Sequence, residues 1–244
     1  MMNQSYSSYT AEDHQMWRML FKRQTLKLPQ LASKDYLVGI EKAGFVADHI
    51  PDFEEELTPR LQALTGWSVI GVPGLVPIKE FFELLAARKF PASTWLRSPD
   101  QLEYLEEPDM FHDTFGHVPL LTNQAFCDFL AEFSKISLKY IEDETAVKLM
   151  QRLYWYTVEF GLIKEDNQLK IYGGGILSSS GESEYCLYSL LPERVPYNIR
   201  EILATEVKID EYQKKYFIVD SYEQLYGSLP QFEKILEQQL LVCQ

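Results

Sequence analysis

Hydrophobic side chains recur at three- and four-residue intervals over most of the chain, and helix punctuation brackets the runs. Thr10 and Asp13 form a capping-box pattern ahead of Trp17, Leu20 and Phe21. Ser33 can cap a helix through Ala43, and Pro51-Asp52 can open another that stops at Gly66. Trp67 to Ile78 is broken by Gly71, Pro73, Gly74 and Pro77, which predicts a short strand and a loop. Pro77 then suits the first turn of a helix to about Lys89, and Ala92 to Arg97 reads as a short extended piece. A short helix is expected after Pro108, and two longer ones from about Asn123 to Tyr140 and from Glu144 to Lys164. Leu169 to Tyr172 reads as a strand and is followed by Gly173-Gly174-Gly175 and Ser178-Ser179-Ser180. A helix near Glu182 to Leu190, a strand at Tyr216 to Val219 and a helix containing Phe232 to Leu241 complete the pattern. No repeat, low-complexity tract or linker divides it. The expectation is one mainly α domain with a few short β-strands.

Length and composition narrow this further. The 244 residues suffice for a sizeable core, and 46% hydrophobic with 24% charged residues excludes a disordered or fibrous chain. Thirty-six acids against 23 bases leave a net charge of -13 with no dense basic cluster, so nucleic acid is a poor partner. Cys127, Cys186 and Cys243 are odd in number and widely spaced, which argues against a disulfide framework or a thiolate zinc site. The polar amino terminus is not a signal peptide. The longest uncharged stretch, Leu61 to Ile78, is too rich in Gly, Pro and polar residues to span a membrane. These features point to a reducing cytoplasm.

The chemistry-bearing residues are few. His112 and His117 lie in Pro108-Asp109-Met110-Phe111-His112-Asp113-Thr114-Phe115-Gly116-His117-Val118-Pro119. A five-residue offset turns side chains about 140° apart on an ideal α-helix, worse for chelation than an i,i+4 pair. Gly116 and Pro119 let the helix loosen or end near His117, so the pair reads either as metal ligands or as two unrelated histidines. Glu159 is the single charge in Tyr154-Trp155-Tyr156-Thr157-Val158-Glu159-Phe160-Gly161-Leu162-Ile163, a run apolar enough to be buried. A carboxylate there is protonated, bound to metal, or paired with an arginine such as Arg152 or Arg97. Two histidines and one buried carboxylate together match the composition of the facial triad that holds non-haem Fe(II) with open coordination positions.

The segments Glu107 to Leu121, Tyr154 to Leu162 and Tyr172 to Glu182 resemble the aromatic amino-acid hydroxylase family, most closely its short bacterial members. The resemblance runs from about Tyr9 almost to the end of the chain. It implies the family's catalytic-domain fold around an iron-bearing cleft, and a pterin-dependent mono-oxygenase using O2 and a tetrahydropterin such as tetrahydrobiopterin. His112, His117 and Glu159 would then ligate Fe(II). Arg97 would bind the substrate α-carboxylate, a role suited to a permanently charged, bidentate donor. Asp109 would support that arginine, Ser178 an iron-ligating histidine, and Ser179 the substrate region. Gly74-Leu75-Val76 and Phe81 would receive the pterin by backbone hydrogen bonds and stacking, with Tyr154 near pterin and iron. Trp155 matches the phenylalanine-type pocket, so conversion of L-phenylalanine to L-tyrosine is expected ahead of tryptophan or tyrosine hydroxylation. Trp95, Tyr104 and Pro108 would line the same region.

Two positions depart from animal members: Asp113 replaces a glutamate beside the first histidine, and Pro91 replaces a pterin-contacting histidine. The length leaves the expectation of a single catalytic domain over residues 1–244, monomeric, without a regulatory domain or tetramerising helix. A metal-dependent hydrolase lacks an HExxH glutamate placed as a base, and a non-enzymatic protein with a structural metal would need closed four-ligand coordination.

Overall fold

The caps foreseen in the sequence are formed. The Thr10 hydroxyl accepts the Asp13 N–H, and the Asp13 carboxylate accepts the Thr10 N–H at 2.8 Å, opening α1 (Ala11–Thr25). The computed structural model describes residues 4–102, 107–209 and 211–242. A short α2 (Leu28–Leu31) leads to α3 (Lys34–Ala43), which Ser33 caps and Gly44 ends at φ 75°. Asp52 takes the N–H groups of Glu54 and Glu55, starting a π turn that runs into α4 (Thr58–Thr65), and Gly66 closes that helix at φ 77°.

Next come β1 (Ser68–Val72), α5 (Ile78–Ala86) and β2 (Lys89–Ser93), with β2 parallel to β1 in a two-stranded sheet. This shifts the expected extended segment towards the amino terminus and shortens the helix before it. The cause is Arg88, whose φ of 56° turns the chain while its guanidinium bonds Thr65 O and Asp128.

After α6 (Gln124–Lys139), the expected helix of Glu144 to Lys164 divides into three pieces. They are α7 (Glu144–Tyr154), a π turn over Trp155–Glu159, and β3 (Leu162–Glu165). Phe160 leaves the helix with its N–H on Trp155 O at 2.9 Å, an i→i+5 bond. Gly161 follows, where a Cβ would lie 2.1 Å from the Tyr172 ring. Asp166 and Asn167, both at positive φ, then turn β3 into β4 (Gln168–Ile171) as an antiparallel hairpin.

The remaining elements are α8 (Gly174–Leu177), α9 (Glu182–Tyr188), β5 (Glu193–Pro196), α10 (Ile199–Ala204), β6 (Lys215–Val219) and α11 (Tyr222–Val242). The second sheet has the order β4-β3-β6-β5, with β6 parallel to both of its neighbours.

One buried hydrophobic cluster joins the elements, with α6 packed against α5 and α11. Phe111 and Phe115 stack at 4.6 Å, and Trp17 and Phe21 of α1 meet them edge-on. Much of the aromatic content is therefore core, and this packing anchors the segment that carries the two histidines. Among the described residues no helix is long and apolar enough to cross a membrane.

Candidate metal centre

Residues Phe111–His117 form a π turn, so the five-residue spacing that defeats an α-helix brings the two imidazoles to one side. Their Nε2 atoms lie 3.3 Å apart. Glu159, at the end of the Trp155–Glu159 π turn, places Oε1 3.3 Å from His117 Nε2 and Oε2 3.6 Å from His112 Nε2. Neither Arg97 nor Arg152 pairs with this carboxylate; Arg152 bonds Leu203 O instead. His112, His117 and Glu159 are the one group of three or more such ligands found among the described residues, their donor atoms within 4.8 Å of one another.

Two ring nitrogens and a carboxylate converging on one point repel unless a proton or cation lies between them. Ligands at right angles, each about 2.1 Å from a shared ion, would stand about 3 Å apart. The observed separations of 3.3 to 3.6 Å fit that arrangement. The same groups shift one another's protonation. Burial alone would raise the Glu159 carboxyl, but the two histidines hold it below the ordinary glutamate range. Burial would lower His117, yet Glu159 and Asp113 beside it keep it above the usual histidine value.

Three features set the ligand geometry. The Ser178 Oγ stands 3.0 Å from His112 Nδ1 and 3.3 Å from Gly175 O. With its proton on the carbonyl, the hydroxyl accepts from Nδ1–H and leaves the Nε2 lone pair for a metal. The glycine run supplies clearance: a Cβ on Gly174 would meet the His117 ring at 2.4 Å, and one on Gly175 would meet Glu159 Oε2 at 2.9 Å. Asp109 provides the third. Fully buried, it accepts Arg97 Nε and Nη2, each at 2.8 Å, and the His112 N–H at 3.0 Å. The same carboxylate thus grips the buried arginine and caps the histidine turn.

The other expected site residues have contacts of their own. Trp155 opens the Glu159 turn, with its indole 4.6 Å from the Phe160 ring. Tyr154 precedes it and meets Phe81 edge-on at 5.4 Å. Burial, then the Glu159 and Asp113 charges, push the Tyr154 phenol well above its usual range. Gly74, Leu75 and Val76 lie on the loop entering α5, where a Cβ on Gly74 would be 3.7 Å from Glu107. Ser179 accepts the Glu182 N–H at 3.3 Å, a bond directed to α9 rather than to the histidines. Trp95 O accepts the Met110 N–H, and Pro108 O accepts the Ser93 hydroxyl. Pro91 sits in β2 opposite Ile70. Tyr104 lies outside the described residues.

Some contributors were not legible as such. Asp113 accepts the Ser93 N–H at 2.7 Å, tying β2 to the histidine turn, and Phe90 lies 5.4 Å from the His117 ring. The triple glycine was conspicuous in the sequence, but its partners were not.

The family model for biopterin-dependent aromatic amino acid hydroxylases matches residues 3–244. Phenylalanine-4-hydroxylase of Chromobacterium violaceum is 48% identical over 225 residues, covering 92% of this chain and 75% of that protein. The Pseudomonas aeruginosa phenylalanine-4-hydroxylase is 43% identical, over 89% of this chain and 82% of its own length. A crystal structure of C. violaceum phenylalanine hydroxylase with iron(III) and 7,8-dihydrobiopterin aligns with a TM-score of 0.92 at 46% identity, covering 100% of this chain and 87% of that one. Another, with Fe(III), gives a TM-score of 0.94 at 47% identity, over 98% and 86% of the two chains.

Proposed function

Because the chain belongs to the biopterin-dependent aromatic amino acid hydroxylases, we propose that His112, His117 and Glu159 hold the iron at which it converts L-phenylalanine to L-tyrosine. The enzyme is a pterin-dependent phenylalanine 4-monooxygenase, and its small-molecule partners are phenylalanine, O2 and a tetrahydropterin. The observation that carries the residue assignment is the convergence of three donor atoms from two π turns. Bound Fe(II) and reduced pterin together supply the reduction of O2 and the delivery of one oxygen atom to the substrate ring.

The chain's own residues bind, orient and shield. Two imidazoles and one carboxylate on one side of an ion leave its other side for exchangeable ligands. Arg97 binds the amino-acid carboxylate: Asp109 takes two of its five N–H donors and leaves three for a ligand. Trp155 and Phe160 offer apolar faces beside Glu159 for the substrate ring, with Ser179 at its margin. The pterin lies against Phe81 and Tyr154, and the backbone of Gly74, Leu75 and Val76 supplies its hydrogen bonds. The apolar surround keeps bulk water from the reacting atoms.

Residues 1–244 act as one catalytic domain and as a cytoplasmic monomer in this reading. A single hydrophobic cluster and the buried free thiols Cys127 and Cys186 support it. The net charge of -13 speaks against a nucleic-acid partner, and no role at a membrane is assigned.

The test is oxygen consumption by the iron-loaded protein with tetrahydropterin, offered phenylalanine, tyrosine or tryptophan, with products quantified. Tyrosine formed from phenylalanine in step with pterin oxidation supports the assignment. Faster product formation from tryptophan or tyrosine would move the substrate, and turnover without oxygen would overturn the reaction class.

A further inference from the structure

Between α10 and β6 the described residues form neither helix nor strand, yet they are tied to the turn that presents Glu159. The Tyr156 hydroxyl donates to Glu206 O at 2.6 Å, and Trp155 Nε1 donates to Gln213 Oε1 at 3.0 Å. Gln213 is 2% exposed, so its amide is settled by protein partners alone. An indole N–H can only donate, which fixes Oε1 towards Trp155. Nε2 then faces carbonyls, donating to Lys208 O at 2.7 Å. The backbone N–H of Gln213 is held at 3.1 Å by the buried Glu182 carboxylate, which also accepts the Tyr216 hydroxyl. The Gln213 side-chain amide therefore has its donor and acceptor satisfied in one orientation only. The far side of that indole packs on Phe160, the residue after Glu159.

We propose that Gln213 is a positioning residue for the aromatic substrate: by accepting the Trp155 indole N–H it fixes the ring plane against which the substrate ring lies. This rests on the placement of Trp155 in the substrate pocket. Gln213 touches neither the metal ligands nor, in this assignment, the substrate. Its effect belongs to phenylalanine binding and to the coupling of pterin oxidation to tyrosine formation, not to iron retention or pterin affinity. An indole freed from its acceptor can tilt away from Phe160 and leave the substrate ring badly placed for the oxygen atom.

Gln213→Met keeps the side-chain length and the backbone N–H to Glu182 but removes the acceptor. In the iron-loaded enzyme it is expected to raise the phenylalanine KM about five- to tenfold, the loss of one buried hydrogen bond. Tyrosine formed per pterin oxidised falls, while iron content and pterin KM stay within about twofold of wild type. Gln213→Glu, in its protonated form, keeps an acceptor for the indole and a donor for Lys208 O and restores most of the phenylalanine KM; Trp155→Phe, which removes the donor, tests the same bond if the methionine variant does not fold. Trp155→Phe removes the donor from the other side, so combining it with Gln213→Met adds nothing further. An unchanged phenylalanine KM in Gln213→Met, equal shifts in both KM values, or additive losses in the double variant would overturn the proposal. Wild-type enzyme that forms no tyrosine would instead refute the reaction assignment.

Discussion

Ser178 sets the orientation of His112: its Oγ stands 3.0 Å from Nδ1 and also meets Gly175 O, which leaves the Nε2 lone pair facing the point on which the His117 and Glu159 donor atoms converge. Groups that fix a ligating histidine in this way commonly contribute 10- to 100-fold, as an order of magnitude, to metal affinity. Ser178→Ala is therefore expected to weaken iron binding by about 10- to 100-fold while the chain stays folded. Iron titration with unfolding monitored in parallel checks this, and unchanged affinity would contradict it.

The buried Arg97–Asp109 pair is not symmetrical. Asp109→Ala strands the arginine charge and also uncaps the His112 turn, so it should cost about 3–5 kcal/mol of stability in denaturant unfolding. Arg97→Ala should cost less, because Asp109 keeps the backbone N–H groups of residue 97 and His112. Its larger effect should be on the phenylalanine KM, with the pterin KM little changed. Equal rises in both would argue against its carboxylate role.

Gly174→Ala tests the close approach of the glycine run to the metal site. Its methyl group would meet the His117 ring at 2.4 Å, and neither the imidazole nor the backbone can move without disturbing the ligand set. The expected result is a loss of about 1–3 kcal/mol together with weakened iron binding. An alanine variant with wild-type iron content and melting temperature would show that the clearance is unnecessary.

Glu182 links pH to stability. Burial raises its carboxyl above the ordinary value of 4.5, outweighing the bonds from Tyr216 and Gln213. The folded state therefore holds this proton more tightly than the unfolded state does. Its stabilising effect is complete below the unfolded value and is lost as pH rises through the raised folded one. Glu182→Gln should remove that slope. Melting temperatures of the two proteins, measured from below pH 4.5 upward, should diverge in their pH dependence above it; parallel curves would refute this.

Helix starts were legible because caps are local: Thr10, Ser33, Asp52 and Asn123 each bond an N–H within three residues. The end of α5 was not, because Arg88 holds a left-handed backbone through contacts with Thr65 and Asp128, distant in sequence. The Asp166-Asn167 turn did carry a local signal, but the strand before it, from Leu162, overlapped what read as the end of a helix through Lys164. At the candidate metal site the three donor residues were legible by residue type and by family resemblance. Their alignment was not, since a five-residue spacing converges only when the helix widens to a π turn. Gln213 gave no sequence signal at all, because its partner Trp155 lies 58 residues away.

In the proposed assignment Glu159 completes the iron site with His112 and His117. That assignment is tested most directly by measuring iron affinity and tyrosine formation in Glu159→Gln beside the wild-type protein. The variant should keep wild-type circular dichroism, bind iron more than about 100-fold more weakly, and form no tyrosine coupled to pterin oxidation. Stoichiometric iron and wild-type turnover in that variant would contradict it.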